Sequence, residues 1–222
     1  MGIEMVRTGF TAAEHGFKFL NSFSFPNSVS LSSITRKNVL LDDLVIGLCG
    51  GMCFAALDYF RAHNPNNPLP TETQVDALPA KLRLYLLARQ LDSLAGGGVI
   101  KVLTWTARSD ASLAMSVAGW EIPKLRHQLS RVGPAVLALI RVREISKLMQ
   151  NHQVVATGYD FNQDTKDMVV YLYDPNWPGE MPSLKMNLTK PSTGIALTQS
   201  TGEELRGFFV IGYGAKKPPK IT

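Results

Sequence analysis

The chain is poor in the residues that carry much of protein chemistry: 222 positions hold two cysteines, Cys49 and Cys53, and four histidines. Two cysteines four apart make no disulfide framework, and on a helix that spacing holds the backbone too tightly for a comfortable bridge. Cys-x-x-x-Cys is also not the Cys-x-x-Cys of a thioredoxin-like redox centre. Basic residues exceed acidic ones only modestly, 23 to 18, a formal charge of +5. They are spread along the chain, with no dense stripe interleaved with aromatics, so nucleic-acid binding is not expected. No stretch approaches the ~18 apolar residues of a membrane span. Glu14, His15 and Lys18 interrupt the one N-terminal segment that would resemble a signal peptide. A reduced, cytoplasmic setting is the default expectation, with unconventional secretion a second option. Gly96-Gly97-Gly98 lacks the lysine and hydroxyl residue of a phosphate loop. Ser22, Ser28 and Ser32 lack the Gly-x-Ser-x-Gly turn of a serine hydrolase.

What is present suffices for a sizeable core. With 45% hydrophobic residues and no convincing linker, residues 1–215 read as one domain and 216–222 as a flexible tail. Alternating phenylalanines predict a strand over Gly16–Phe25, Ser28–Ser33 reads as a loop, and Leu40–Ile46 is a short, largely apolar segment. Gly47–Phe60 is a glycine turn feeding a helix, and His63–Gln74 is a Pro/Asn-rich loop. The periodicity predicts a helix over Ala80–Leu94 and, from Pro123, another through Val132. Val99–Thr106 reads as the start of a strand. Further strands are expected at Ala135–Val142, His152–Tyr159, Met168–Tyr173 and Gly207–Tyr213. Helices first and hairpin-spaced strands afterwards indicate an α+β domain with an antiparallel sheet.

The chemistry gathers on three segments. In GLCGGMCF, Cys53 at the start of a helix is a candidate nucleophile, because unpaired N–H groups and the positive end of the helix dipole favour a thiolate. Cys49 is either a packed small residue or a redox or zinc partner. His152 opens the strand of HQVVATGYD, and Asp174 ends the next strand in YLYDPNWPG. If those strands pair, both lie at one sheet edge, where imidazole takes the thiol proton and the carboxylate orients the ring. Asn176 is the alternative orienting residue. A zinc site from Cys49, Cys53 and His152 would leave Asp174 unexplained, so no metal and no cofactor is expected.

These three segments, in the order cysteine, histidine, aspartate, resemble the papain-like cysteine peptidase superfamily, and the last two are similar in style to its bacterial C39-type branch. The resemblance implies an N-terminal helical part carrying Cys53, packed on an antiparallel sheet carrying His152 and Asp174. The implied activity is hydrolysis of a peptide or other amide through a thioester. A transglutaminase-like acyltransferase or a catalytically silent peptide-binding protein are the alternatives. The sequence departs from the family where an oxyanion-stabilising glutamine commonly stands, about six residues before the nucleophile: Gly47 occupies that place, and Leu40–Met52 contains no Gln or Asn. The Cys53 N–H and Asn21 are the remaining candidates for that role.

Overall fold

The structure, a computed structural model, describes residues 2–24, 45–95 and 97–221. The Ser28–Ser33 loop and most of the Leu40–Ile46 segment lie outside them. Helices dominate up to Arg131 and strands thereafter. An initial strand β1 (Ile3–Arg7) leads to the single turn α1 (Ala12–His15). Two short strands, β2 (Phe23–Ser24) and β3 (Val45–Ile46), pair antiparallel just before α2 (Cys49–Ala62). Helices α3 (Ala80–Leu94), α4 (Gly98–Thr106), α5 (Asp110–Ser116) and α6 (Ile122–Arg131) follow, a π turn over Val117–Glu121 joining the last two.

The second half builds a seven-stranded sheet from β4 (Ala135–Ile140), β5 (His152–Asn162), β6 (Asp167–Tyr173), β7 (Ser183–Asn187), β8 (Thr198–Gln199) and β9 (Gly207–Ile211), joined by β1. The order is β8-β7-β6-β5-β4-β9, and every pairing is antiparallel. β5 is long enough to take two partners on one side, β4 along His152–Ala156 and β1 along Gly158–Asn162. A register shift at Ala156/Gly158 accompanies the change of partner, and such a bulge bends a strand and helps the sheet curl.

The sheet is buried on both faces. Val136, Val155 and Tyr173 pack with Phe17, Phe54 and Leu57 in the core of α2 and α3, while their neighbours Leu137, Val154 and Leu172 pack with Leu113, Leu125 and Leu129 of α5 and α6. Adjacent strand residues point to opposite faces, so a doubly covered strand needs apolar residues at every position. This is why AVLALI and VVA read as unbroken apolar runs.

Two local expectations are corrected. The predicted strand over Gly16–Phe25, whose last residue lies outside the described ones, is mostly irregular, and among its described residues only Phe23–Ser24 joins a ladder. Its alternating phenylalanines are anchors instead: Phe17, Phe19 and Phe23 are all buried, with Phe17 5.1 Å from Phe19 and edge-on to Tyr59 of α2. Val99–Thr106 is a helix, not a strand. Trp105 and Thr106 are buried there, with the indole 5.2 Å from Phe209, and packing overrides the β-branched composition. By contrast, the helix expected over Ala80–Leu94 has those bounds.

The glycines after Cys49 are the first turn of α2 rather than a turn before it. A Cβ on Gly51 would sit 2.1 Å from the Leu86 carbonyl oxygen, and one on Gly50 would sit 2.2 Å from Ser93 Oγ and 2.6 Å from Gln153 Oε1. Both residues let α2 press against α3 and β5. Gly51→Ala must push two helix backbones apart and is expected to lower stability by about 2 kcal/mol. Urea unfolding checks this; an unchanged midpoint would mean that the contact is not needed.

Residues 216–222, expected as a flexible tail, make several contacts with α2 and α3 up to Lys220. Lys216 N–H donates to Asp58 (2.8 Å), Tyr59 donates to the Pro219 carbonyl (3.0 Å), and Lys81 donates to the Lys220 carbonyl (2.9 Å).

Candidate functional site

The start of α2, the first residue of β5 and the residue after β6 meet at one end of the sheet. Val155 faces Tyr173 across β5 and β6, so continuing the register places Asp174 diagonal to His152 and on the same face. His152 Nε2 lies 2.6 Å from Asp174 Oδ1, and both side chains are buried. That leaves Nδ1 as the ring nitrogen free to meet a thiol. The thiol that shares a cavity wall with His152, and whose charge is coupled to the ring, is Cys49.

The expected meeting of Cys53 with His152 is therefore not what the structure holds. Cys53 is wholly buried and its thiol donates to the Gln153 carbonyl at 3.4 Å. Four helical residues make about one turn, some 6 Å along the axis, so the two sulfurs share a side of the helix at different depths. Because α2 already begins at Cys49, the residue in its first turn and facing the sheet end is Cys49, while Cys53 lies inside.

Electrostatics separate the two thiols. Burial raises the Cys53 pKa well above the ordinary thiol value, and the charges of Cys49 and Asp174 push it in the same direction. Burial also works against ionisation of Cys49, but a hydrogen bond and positive charge from His152, with the N–H groups of Gln153 and Gly50, outweigh it and lower its pKa. For His152, burial favours the neutral ring, yet the hydrogen bonds and negative charges of Asp174 and Cys49 raise its pKa to about 9. Each partner favours the other's charged form.

The helix start is capped from a distance. Leu48, at the N-cap, makes no side-chain cap bond, and the first turn carries no acidic residue to compensate the dipole. Gln90 Oε1 of α3 accepts from Gly51 N–H at 2.8 Å, and Asn21 Oδ1 accepts from Leu48 N–H at 2.5 Å. With its oxygen anchored, Gln90 has its amide nitrogen left as a donor, and it shares the wall of one cavity with Cys49 and His152. Asn21 is tied differently: its Nδ2 donates to Asn176 Oδ1 at 3.0 Å, strapping the entry of α2 to the loop after Asp174. Asn176 supports Asp174 through its backbone N–H, 2.9 Å from Oδ1, while its side chain is engaged by Asn21.

Behind Asp174 runs a second polar line. Gln199 Nε2 donates to Asp174 Oδ2 at 3.3 Å, and Arg141 donates to Gln199 Oε1 at 3.3 Å while forking onto Glu203 with two bonds of 2.9 Å. Of these supporting residues, Asn21 and Asn176 carried a sequence signal, as oxyanion and orienting candidates, whereas Gln90 lay on a predicted helix without one. Gln199 and Arg141 had none, because their roles depend on strands far apart in the chain. Among the described residues no group of three His, Cys, Asp or Glu side chains is arranged to hold a metal ion, and no helix is long and apolar enough to cross a membrane.

Compared with protein families, curated proteins and solved structures, the chain matches none.

Proposed function

We propose that the chain is a thiol hydrolase of papain-like design, with Cys49 as nucleophile, His152 as acid and base, and Asp174 as the group that orients the ring. The observation that carries this reading is the placing of Cys49 in the first turn of α2, on one cavity wall with His152, whose ring Asp174 holds at 2.6 Å. The Cys49 thiolate attacks an amide carbonyl carbon, forming a C–S bond and an oxyanion. The C–N bond then breaks as the His152 imidazolium gives its proton to the leaving amine. Water next attacks the thioester and gives a proton to neutral His152. The C–S bond breaks, releasing the acid and restoring thiolate and imidazolium.

The oxyanion needs donors that point where charge develops. The Cys49 N–H, at the opening of α2, and the Gln90 amide nitrogen are in the right neighbourhood. Gln90 takes the part for which the sequence has no upstream glutamine, approaching from α3 instead.

The reading has a pH signature. Alkylation of Cys49 by iodoacetamide is expected to stay fast below the range in which a free thiol ionises. Hydrolysis, which also needs the imidazolium, is expected to decline as pH rises through about 9. In His152→Ala the burial of Cys49 acts without its counter-charge, so alkylation moves to higher pH. A Cys49 profile that follows a free cysteine and does not change in His152→Ala would remove the basis for this function.

A further inference from the structure

The cavity at Cys49 is more than an entrance to the sulfur. It has a volume of about 150 Å³ and is walled on one side by Cys49, Gln90 and His152. The rest of the lining is mostly apolar, Leu94 at the end of α3, Val99 and Val102 of α4, Ala138 of β4, and Leu148 and Met149 of the 3-10 turn Ile145–Gln150, with Gly47 and the uncharged amides Asn151 and Gln153 completing it. Val99 and Val102 are three apart, so the helical course of α4 turns both to one side, which a strand there would not do. No described residue of the lining is Asp, Glu, Lys or Arg.

Resting on the thiol-hydrolase reading, we propose that this cavity is the specificity pocket, and that it takes an uncharged apolar side chain of leucine or phenylalanine size from the substrate, next to the bond that Cys49 attacks. Three observations converge on that occupant. Size is the first, since an apolar cavity of about 150 Å³ holds a benzene-sized group. Charge is the second: apart from Cys49 and His152, whose opposite charges offset one another, the walls offer an acidic or basic side chain no counter-charge as it leaves water. Position is the third, because the group in the cavity stands against the same Cys49 and His152 that perform the chemistry. The rim fits the same occupant, since Met149 is 80% exposed and Val99 is 39% exposed, leaving apolar surface at the mouth.

The test compares alkylation of Cys49 by three reagents with one reactive group: iodoacetamide, its N-benzyl derivative and its N-carboxymethyl derivative. Rates are divided by those of free cysteine to remove intrinsic reactivity. The benzyl reagent is expected to gain about tenfold over iodoacetamide, and the carboxylate reagent to gain nothing or lose. Val102→Asp should erase most of the benzyl preference, read as the ratio of the benzyl to the iodoacetamide rate in the same variant, so that any change in the reactivity of the thiol itself cancels. Met149→Asp, at a site too exposed to threaten folding, should reduce the preference in part. Fast, His152-dependent alkylation with equal normalised rates for all three reagents would overturn the pocket and leave the thiol chemistry standing. Slow, His152-independent alkylation by iodoacetamide itself would overturn the underlying reading, and the pocket assignment with it.

Discussion

Cys49→Ala is expected to abolish thiol-dependent hydrolysis and the rapid alkylation of the folded protein, whereas Cys53→Ala retains both. At pH 6 a free cysteine is ionised to well under about 1%, so a thiolate held by an imidazolium stands out against that background. Alkylation of Cys49 there should exceed that of a free thiol by about tenfold or more, the low nucleophilicity of an acidic thiolate limiting the gain. Cys53 has no route to such reactivity. It is wholly buried, its proton is directed to the Gln153 carbonyl, and burial favours the neutral thiol. Removing its sulfur costs about 1 kcal/mol of packing and leaves the helix start in place. Peptide mapping by mass spectrometry after brief labelling distinguishes the two, with Cys53 modified only once denaturant is present. Rapid native labelling that persists in Cys49→Ala and disappears in Cys53→Ala would reverse the assignment.

A loss of about 3–5 kcal/mol is expected for Asp58→Ala, enough to lower the melting temperature by on the order of 10 °C in a domain of this size. Asp58 on α2 and Arg89 on α3 form a buried ion pair at 2.7 Å, with side-chain exposures of 0% and 1%. The carboxylate also accepts from Tyr85 Oη (2.8 Å), Tyr213 Oη (2.6 Å) and Lys216 N–H (2.8 Å), and Arg89 donates to the Gly214 carbonyl (2.8 Å). Alanine would leave the buried Arg89 guanidinium with only the part-exposed Asp92 (2.6 Å) and the Gly214 carbonyl, strand the hydroxyls of Tyr85 and Tyr213, and release the C-terminal segment together. The ion pair also holds the two helices that supply Cys49 and Gln90, so its loss should loosen the site before the whole domain unfolds. Replacing both charges, Asp58→Leu with Arg89→Met, should recover much of the stability, because the expensive state is a buried charge that has lost its buried partner. Thermal and urea unfolding of the parent and the two variants provide the comparison. If Asp58→Ala alone unfolds within about 1 kcal/mol of the parent, the pair is not the clamp described.

The α+β class and most elements were legible because periodicity survives without knowledge of the partner. Ala80–Leu94 shows an apolar face at helical spacing, and the apolar runs at Ala135 and His152 are strands whose pairing follows from their order. His152 and Asp174 were legible for the same reason, since adjacent antiparallel strands bring the start of one near the end of the next. Misreadings arose where local pattern and packing disagree. Gly50 and Gly51 look like a turn in the sequence, yet their missing side chains let α2 lie against Leu86 and Gln153. That displacement of the helix start by one turn moved the first-turn thiol from Cys53 to Cys49. In Val99–Thr106 the β-branched residues suggest a strand, while the burial of Trp105 against Phe209 accommodates a helix.

By itself, then, the sequence determined that a cysteine-bearing helix precedes two paired strands carrying His152 and Asp174, because those features depend on neighbours along the chain. Only the tertiary structure decided which cysteine meets His152, that Gln90 and Asn21 cap α2 from a distance, and that α4 helps close an apolar pocket over Cys49. Each of these is a contact between residues separated by tens of positions, and helix depth, close backbone approach and cavity shape exist only once the elements are packed.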